Sequence, residues 1–220
     1  LMTLMAEEAS VVKSAFEDAA VDAAKQAPVL QASEVYSELS APNAADLETG
    51  ELQAMARRLD RAAKSLDDLG MAEAEQVRQA SARLMVGEAE AARSALAAVM
   101  PLIENATVSI DTWIAAVRAG DYRQAAGILE AWSDPTQTPL DETQLVILSS
   151  ALTGMGQGLK RALPALGEAL GEAGEMIEAG ELKAARARLV AAASDLSEIG
   201  YTISRSDAAS RARVVRSFWG

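Results

Sequence analysis

The sequence predicts an all-α protein, built as antiparallel helical hairpins that form a bundle of long amphipathic helices. Three observations carry that expectation. Ala, Leu, Glu, Arg and Gln, all strong helix formers, are abundant in the 220 residues, and β-branched side chains are sparse. Apolar residues recur at spacings of three and four, and no stretch alternates convincingly with period two. Half of the residues are hydrophobic but only 4% are aromatic. Ala-rich faces bury little area per residue, so burial has to accumulate over long helices.

The first helix is expected over 2–26, with Met5, Val12, Phe16, Ala19 and Ala23 near one face and an interruption at Gln26-Ala27-Pro28. A short second helix fits 29–39, ahead of a break at Ala41-Pro42-Asn43. From Glu51 to Leu69 the pattern is clear: Leu52, Met55, Leu59, Ala63 and Leu66 form a stripe, and Gly70 closes the helix. Arg57, Arg61, Lys64 and Asp68 lie opposite, which reads as a solvated face with i,i+4 pairing rather than a binding patch. Residues 71–99 are helical, either as one helix passing through Gly87 or as two. A Gly inside a helix costs about 1 kcal/mol relative to Ala, which does not decide between them. Pro101 either starts a helix or kinks a longer one.

A central hairpin is expected over Trp113 to Pro135. Trp113, Ile114 and Val117 precede the turn, and Tyr122, Ala125, Ala126, Leu129 and Trp132 follow it, all at helical spacing. Gly120 terminates the first helix, Asp121 caps the second or complements its dipole, and Ser133-Asp134-Pro135 ends it. Trp113, Tyr122 and Trp132 have two readings, as the packing core of the hairpin or as an aromatic-lined ligand pocket.

Ser133 to Pro139 is the clearest linker. Thr138 is expected to cap the next helix, with Pro139 at its first position and Asp141 three residues after the cap. One long helix then carries a stripe through Leu152, Leu159, Leu163, Leu166, Leu170, Ala173 and Ile177, with Pro164 as a kink on its polar side. Gly167 and Gly171 form a small-xxx-small pair that would let another helix come close. Glu181 to Ile199 follows, and Gly200 is expected to separate it from a last helix over 202–218. The organisation divides into N-terminal hairpins over 1–133 and a C-terminal hairpin with a basic terminal helix over 134–220, read as one continuous helical domain.

There is internal similarity. Leu47 to Gly70 and Ile177 to Gly200 align without a gap, with 11 of 24 positions identical. A shorter echo pairs GEAEAARSAL from Gly87 with GELKAARARL from Gly180. Glycines 50, 87, 120 and 154 are separated by 37, 33 and 34 residues. That spacing, with the AGDYRQA turn, resembles the tetratricopeptide repeat, whose period is about 34 residues. The resemblance implies a stack of helical hairpins as the alternative to a bundle. Most of that family's small and aromatic positions are missing here, and the next interval, to Gly180, is only 26.

Composition narrows the chemistry. The chain has no Cys and no His, which removes His and Cys metal ligands, Cys nucleophiles and the usual His base. No P-loop or dinucleotide fingerprint occurs. GMGQG at 154–158 lacks a preceding strand and a Lys-Ser/Thr ending. Adjacent carboxylates such as Asp67-Asp68 or the pair Glu88 and Glu90 have nothing to place them in a cleft. Neither an enzyme nor a cofactor is expected. A net charge of −12 argues against nucleic acid as a partner. No apolar run is long enough for a membrane span, and the first residues lack the basic region of a signal peptide.

The acidity is uneven. Arg205 to Gly220 holds four Arg and one Asp. Arg211, Arg213, Arg216, Phe218 and Trp219 are candidates for contact with an anionic membrane surface or a partner helix, with packing into the bundle as the plainer reading. The function expected is a non-catalytic helical interaction or scaffold module that binds a protein or peptide, with self-association as a variant. The alternative is a ligand-sensing helical domain of a membrane or cell-envelope protein, with its ligand near Trp113, Tyr122 and Trp132.

Overall fold

Glycine followed by an acidic residue shapes the fold at three of its turns. Gly87-Glu88, Gly120-Asp121 and Gly180-Glu181 each end one helix in a left-handed glycine and begin the next almost at once. The residue after each glycine donates its N–H back to the carbonyl five residues earlier: Glu88 to Arg83, Asp121 to Ala116 and Glu181 to Met176, at 2.8–2.9 Å. Gly70 closes its helix the same way, with Met71 donating to Leu66. These closures satisfy carbonyls that a helix end leaves open and turn the chain back tightly.

The computed structural model describes the backbone of residues 2–219 and the side chains of residues 10–203. Among the described residues there are ten α-helices and no strand. They are α1 Met2–Gln26, α2 Leu30–Leu39, α3 Thr49–Asp68, α4 Ala74–Met85, α5 Ala89–Thr107, α6 Ile110–Ala119, α7 Tyr122–Ser133, α8 Glu142–Leu159, α9 Pro164–Glu178 and α10 Leu182–Trp219.

The packing forms two closed circuits. In one, α2, α3, α4 and α5 pack in sequence and α5 returns onto α2. In the other, α1 packs on α8, α8 on α9, α9 on α10, α10 on α7, α7 on α6, and α6 back on α1. The circuits meet where α5 touches α6 and α8, and a single hydrophobic cluster runs through both. The fold is thus an all-α bundle closed by contacts between helices far apart in sequence. It is not the tetratricopeptide-like stack, in which each hairpin packs on the next. The glycine spacing that suggested repeats is not a spacing of turns. Gly87 and Gly120 are turns, but Gly50 lies in the first turn of α3 and Gly154 inside α8. The aligned segments at 47–70 and 177–200 also differ locally. The first enters α3 through a capping box between Glu48 and Glu51, whereas the second spans the α9–α10 turn.

Helix boundaries depart from expectation in several places, one of them the break between α5 and α6 at Val108 and Ser109. The stripe expected to run along one kinked helix to Ile177 instead belongs to two. The chain reverses over 160–163, and Pro164 opens α9, where its missing N–H costs nothing. The helix α8 is capped by Asp141, whose carboxylate accepts from the Gln144 N–H while the Gln144 side chain accepts from the Asp141 N–H. Thr138 therefore lies in the preceding loop, not at the cap. Nor does Gly200 end a helix. α10 continues through it, and a Cβ there would come within 2.9 Å of the Tyr122 Cβ. Gly200 is small so that α10 can cross α7.

The same logic places α8 at the centre. Its glycines are contact points: a Cβ on Gly154 would lie 2.5 Å from the Asp22 carbonyl oxygen, and one on Gly158 would lie 2.5 Å from the Ala19 Cα, both on α1. On the other side, a Cβ on Gly156 would meet the backbone of Gly167 and Gly171 on α9. The small pair at 167 and 171 does admit a neighbouring helix, and that neighbour is α8. GMGQG is packing surface within a helix, not a loop.

Candidate functional site

The three hairpin aromatics do not form one pocket. Trp113 is 1% exposed and meets the Phe16 ring of α1 edge-on, with centroids 6.4 Å apart. Tyr122, also buried, lies 5.6 Å from the same ring, tilted by 36°. Phe16 therefore joins Trp113 and Tyr122, and these rings belong to the core. Trp132, at the far end of α7, is turned elsewhere. Its indole N–H donates to the Val108 carbonyl at 2.9 Å, and one edge of the ring lines a surface groove.

That groove is built from segments that the sequence leaves unconnected. Pro135, Thr138, Pro139 and Leu140 of the loop before α8 form one wall. Leu145 and Leu148 of α8, Ile177 at the end of α9, and Leu182, Arg186 and Leu189 of α10 complete the lining. Its volume is about 270 Å³. Short turns make the groove: because α8, α9 and α10 reverse tightly, Ile177 and Leu182, on either side of the α9–α10 turn, meet Leu145 from the start of α8.

The loop wall is fixed rather than slack. The Asp134 carboxylate accepts from the Thr136 N–H at 2.8 Å and from its hydroxyl at 2.7 Å, and from the Gln137 side-chain amide at 3.1 Å. The Thr138 N–H returns to the Asp134 carbonyl. The hydrogen bonds from Thr136 hold the Asp134 carboxyl below its ordinary pKa. Pro135 and Pro139 further restrict φ in this loop. At the rim, Arg186 is partly buried and has no ion-pair partner among the described residues, while nearby Arg188 is engaged by Glu172 at 2.6 Å.

A second polar group lies where the two circuits meet. Val108 and Ser109 both adopt left-handed backbone conformations, with φ of 51° and 63°, between α5 and α6. Such a conformation is costly for a β-branched residue. Beside this turn the Thr107 hydroxyl donates to the Glu104 carbonyl at 3.1 Å and lies 3.4 Å from Asp111 Oδ2. Burial pushes the Asp111 carboxyl up to about 6. Glu34 and Glu104 add to that rise, and the Ser33 and Thr107 hydroxyls oppose it. Neighbouring cations are committed elsewhere: Arg58 spans Glu34 and Glu38 at 2.8 and 2.7 Å, and Arg118 lies 3.7 Å from Glu34.

Of the residues singled out from sequence, Trp132 lines the groove, and Trp113 and Tyr122 are packed away from it. Arg211, Arg213, Arg216, Phe218 and Trp219 lie outside the residues whose side chains are described. Among the described residues, no helix is long and apolar enough to cross a membrane. Sequence reasoning missed Leu182, Arg186 and Leu189 as groove residues, because their partners depend on the α8–α9 reversal. It missed Asp111 as well, since one acid in a helix's first turn reads as an ordinary dipole partner. Comparison with protein-family models, with curated proteins and with solved structures finds no match to this chain.

Proposed function

We propose that this protein is a non-catalytic helical interaction module, and that it seats an apolar segment of a partner polypeptide in the groove beside Trp132. The observation that carries this reading is the hydrogen-bonded wall. Asp134 ties together residues 134–138 of the loop, and Leu140 and Leu182 line the groove with other apolar side chains, which suits a short segment anchored by one or two side chains. Arg186 at the rim favours a segment with a carboxylate next to its anchor, because a guanidinium can grip a carboxylate with two hydrogen bonds. The alternative of a small ligand enclosed by all three hairpin aromatics draws less support, since Trp113 and Tyr122 pack on Phe16 while Trp132 lines the groove.

The test is selection of peptides from a random display library on the full chain, with Leu182→Ser and Arg186→Glu proteins as comparisons. Both positions are only partly buried, so both variants are expected to fold. Peptides with an apolar anchor should enrich on the wild type. They should lose at least about tenfold in affinity on Leu182→Ser, the order expected for one lost apolar anchor. Binding that is indifferent to both substitutions would place the interaction surface elsewhere.

A further inference from the structure

The end of α5 lacks the closure that the glycine turns have. At Gly70, Gly87, Gly120 and Gly180 the backbone closes its own helix, whereas among the described residues no backbone hydrogen bond returns from Val108 or Ser109 to α5. Val108 and Ser109 both stand in the left-handed region, a costly pair because each carries a Cβ. Such a conformation persists only where its surroundings impose it. The last carbonyls of α5 and its cap therefore need other donors.

Two of those donors come from the groove. The Gln144 side-chain amide donates to the Asn105 carbonyl at 2.9 Å, from 39 residues away. The Trp132 indole N–H donates to the Val108 carbonyl at 2.9 Å, from 24 residues away. Trp132 lines the groove, and Gln144 sits between Leu140 and Leu145, which line it too. Gln144 is itself fixed, because its oxygen accepts from the Asp141 N–H in the cap of α8. We infer that the 108–109 turn is a hinge clamped by the wall of the groove, so that turn and wall open together.

When the turn is closed, the Asn105 and Val108 carbonyls meet Gln144 and Trp132, and each bond steadies one part of the groove. When it opens, Val108 and Ser109 return to ordinary φ and both bonds are lost. The Trp132 ring and the 140–145 segment then lose supports that position them. The two bonds share one element with two arrangements, so weakening either loosens the other, although Trp132 is on α7 and Gln144 on α8. The turn also lies where the circuits meet, since α5 packs on α2, α6 and α8. A segment packed on Trp132 holds the ring where its N–H reaches Val108, so an occupied groove favours the closed turn. That last consequence rests on the groove proposed above; the clamp itself does not.

The experiment is hydrogen exchange of the full chain without a partner, followed by NMR. Two signals report: the Trp132 indole, and the Trp113 amide, which donates to the Ser109 carbonyl at the start of α6. Gln144→Glu keeps the oxygen that caps α8 and removes the donor to Asn105. It should speed exchange of both signals together by about tenfold, the order expected for one lost hydrogen bond. Trp132→Phe keeps most of the ring, removes the N–H, and should speed the Trp113 amide in the same way. Amides of α3 and α4 should keep their wild-type rates in both variants. An indole indifferent to Gln144→Glu would overturn the clamp, and so would a Trp113 amide that ignores both substitutions. Acceleration spread equally over α3 and α4 would also overturn it, since the loss would then be one of overall stability. If Trp132→Phe fails to fold, Gln144→Glu decides alone. A second measurement adds a peptide selected on the full chain, which should slow exchange of the Trp113 amide. A peptide that binds the groove and leaves that amide unchanged would contradict the coupling to occupancy. Failure to find any groove-binding peptide would count against the groove reading, while the partner-free exchange still decides the clamp.

Discussion

Trp132 has two duties at the residue scale. Its ring is buried at 4% exposure, and its N–H satisfies the carbonyl of a strained valine. The two contributions separate by substitution. Trp132→Phe keeps most of the ring but strands the Val108 carbonyl, at a cost of about 1 to 3 kcal/mol. Trp132→Ala also opens a cavity and should cost about 3 to 5 kcal/mol. Urea unfolding of both variants checks this. A loss below about 1 kcal/mol for the alanine variant would show that the ring is not part of the core. The apolar spacing in the sequence made the burial of Trp132 readable. It gave no sign of the hydrogen bond, since the acceptor is 24 residues away in a turn with no glycine to announce it. Val108 and Ser109 have no sequence signature for positive φ, so the α5–α6 break was hidden.

Helices in this protein approach one another by means of missing side chains. Where α8 crosses α1 and α9, glycine replaces the knob that a larger residue would insert. Gly127, by contrast, is merely tolerated. Gly154→Ala would press a methyl group into the backbone of Asp22 and Ala23, and should cost about 3 kcal/mol through overpacking. Gly127→Ala, in the interior of α7 with open space around it, should instead stabilise by about 0.5 to 1 kcal/mol, as restricting a helical glycine does. Thermal and urea unfolding of the two single variants would show opposite signs. If both destabilise alike, the close approach of α8 to α1 is not as described. This scale also shows the reach of sequence patterns. The turn at Gly120 was legible because a helix stop and a helix start coincide there, and the close of α3 at Gly70 because its apolar stripe ends at a glycine. Pro164 misled because the apolar stripe continues in step on both sides of it, so periodicity alone could not distinguish a kink from a reversal. Gly200 misled for the converse reason: its cause is a crossing helix, and a crossing is invisible along one chain.

On the scale of the whole molecule, helical class was determined by composition and period, but the arrangement of helices was not. Pairing α1 with α8 and α7 with α10 depends on which Ala- and Gly-lined faces can come closest, and many faces in this chain look alike. The groove inherits that difficulty. Trp132 could be noticed in the sequence, whereas Leu140 and Leu182 become a pair only after three helices have turned back on one another. Their convergence beside an ordered wall underlies the reading of the protein as an interaction module. The most direct measurement is amide and indole chemical-shift mapping of the full chain with a peptide selected on it. The account predicts perturbations at the Trp132 indole, at 135–140 and at 182–189, with little change at Trp113 or Tyr122. Saturable binding that leaves those groove signals unmoved, or that perturbs the Phe16, Trp113 and Tyr122 cluster instead, would contradict it.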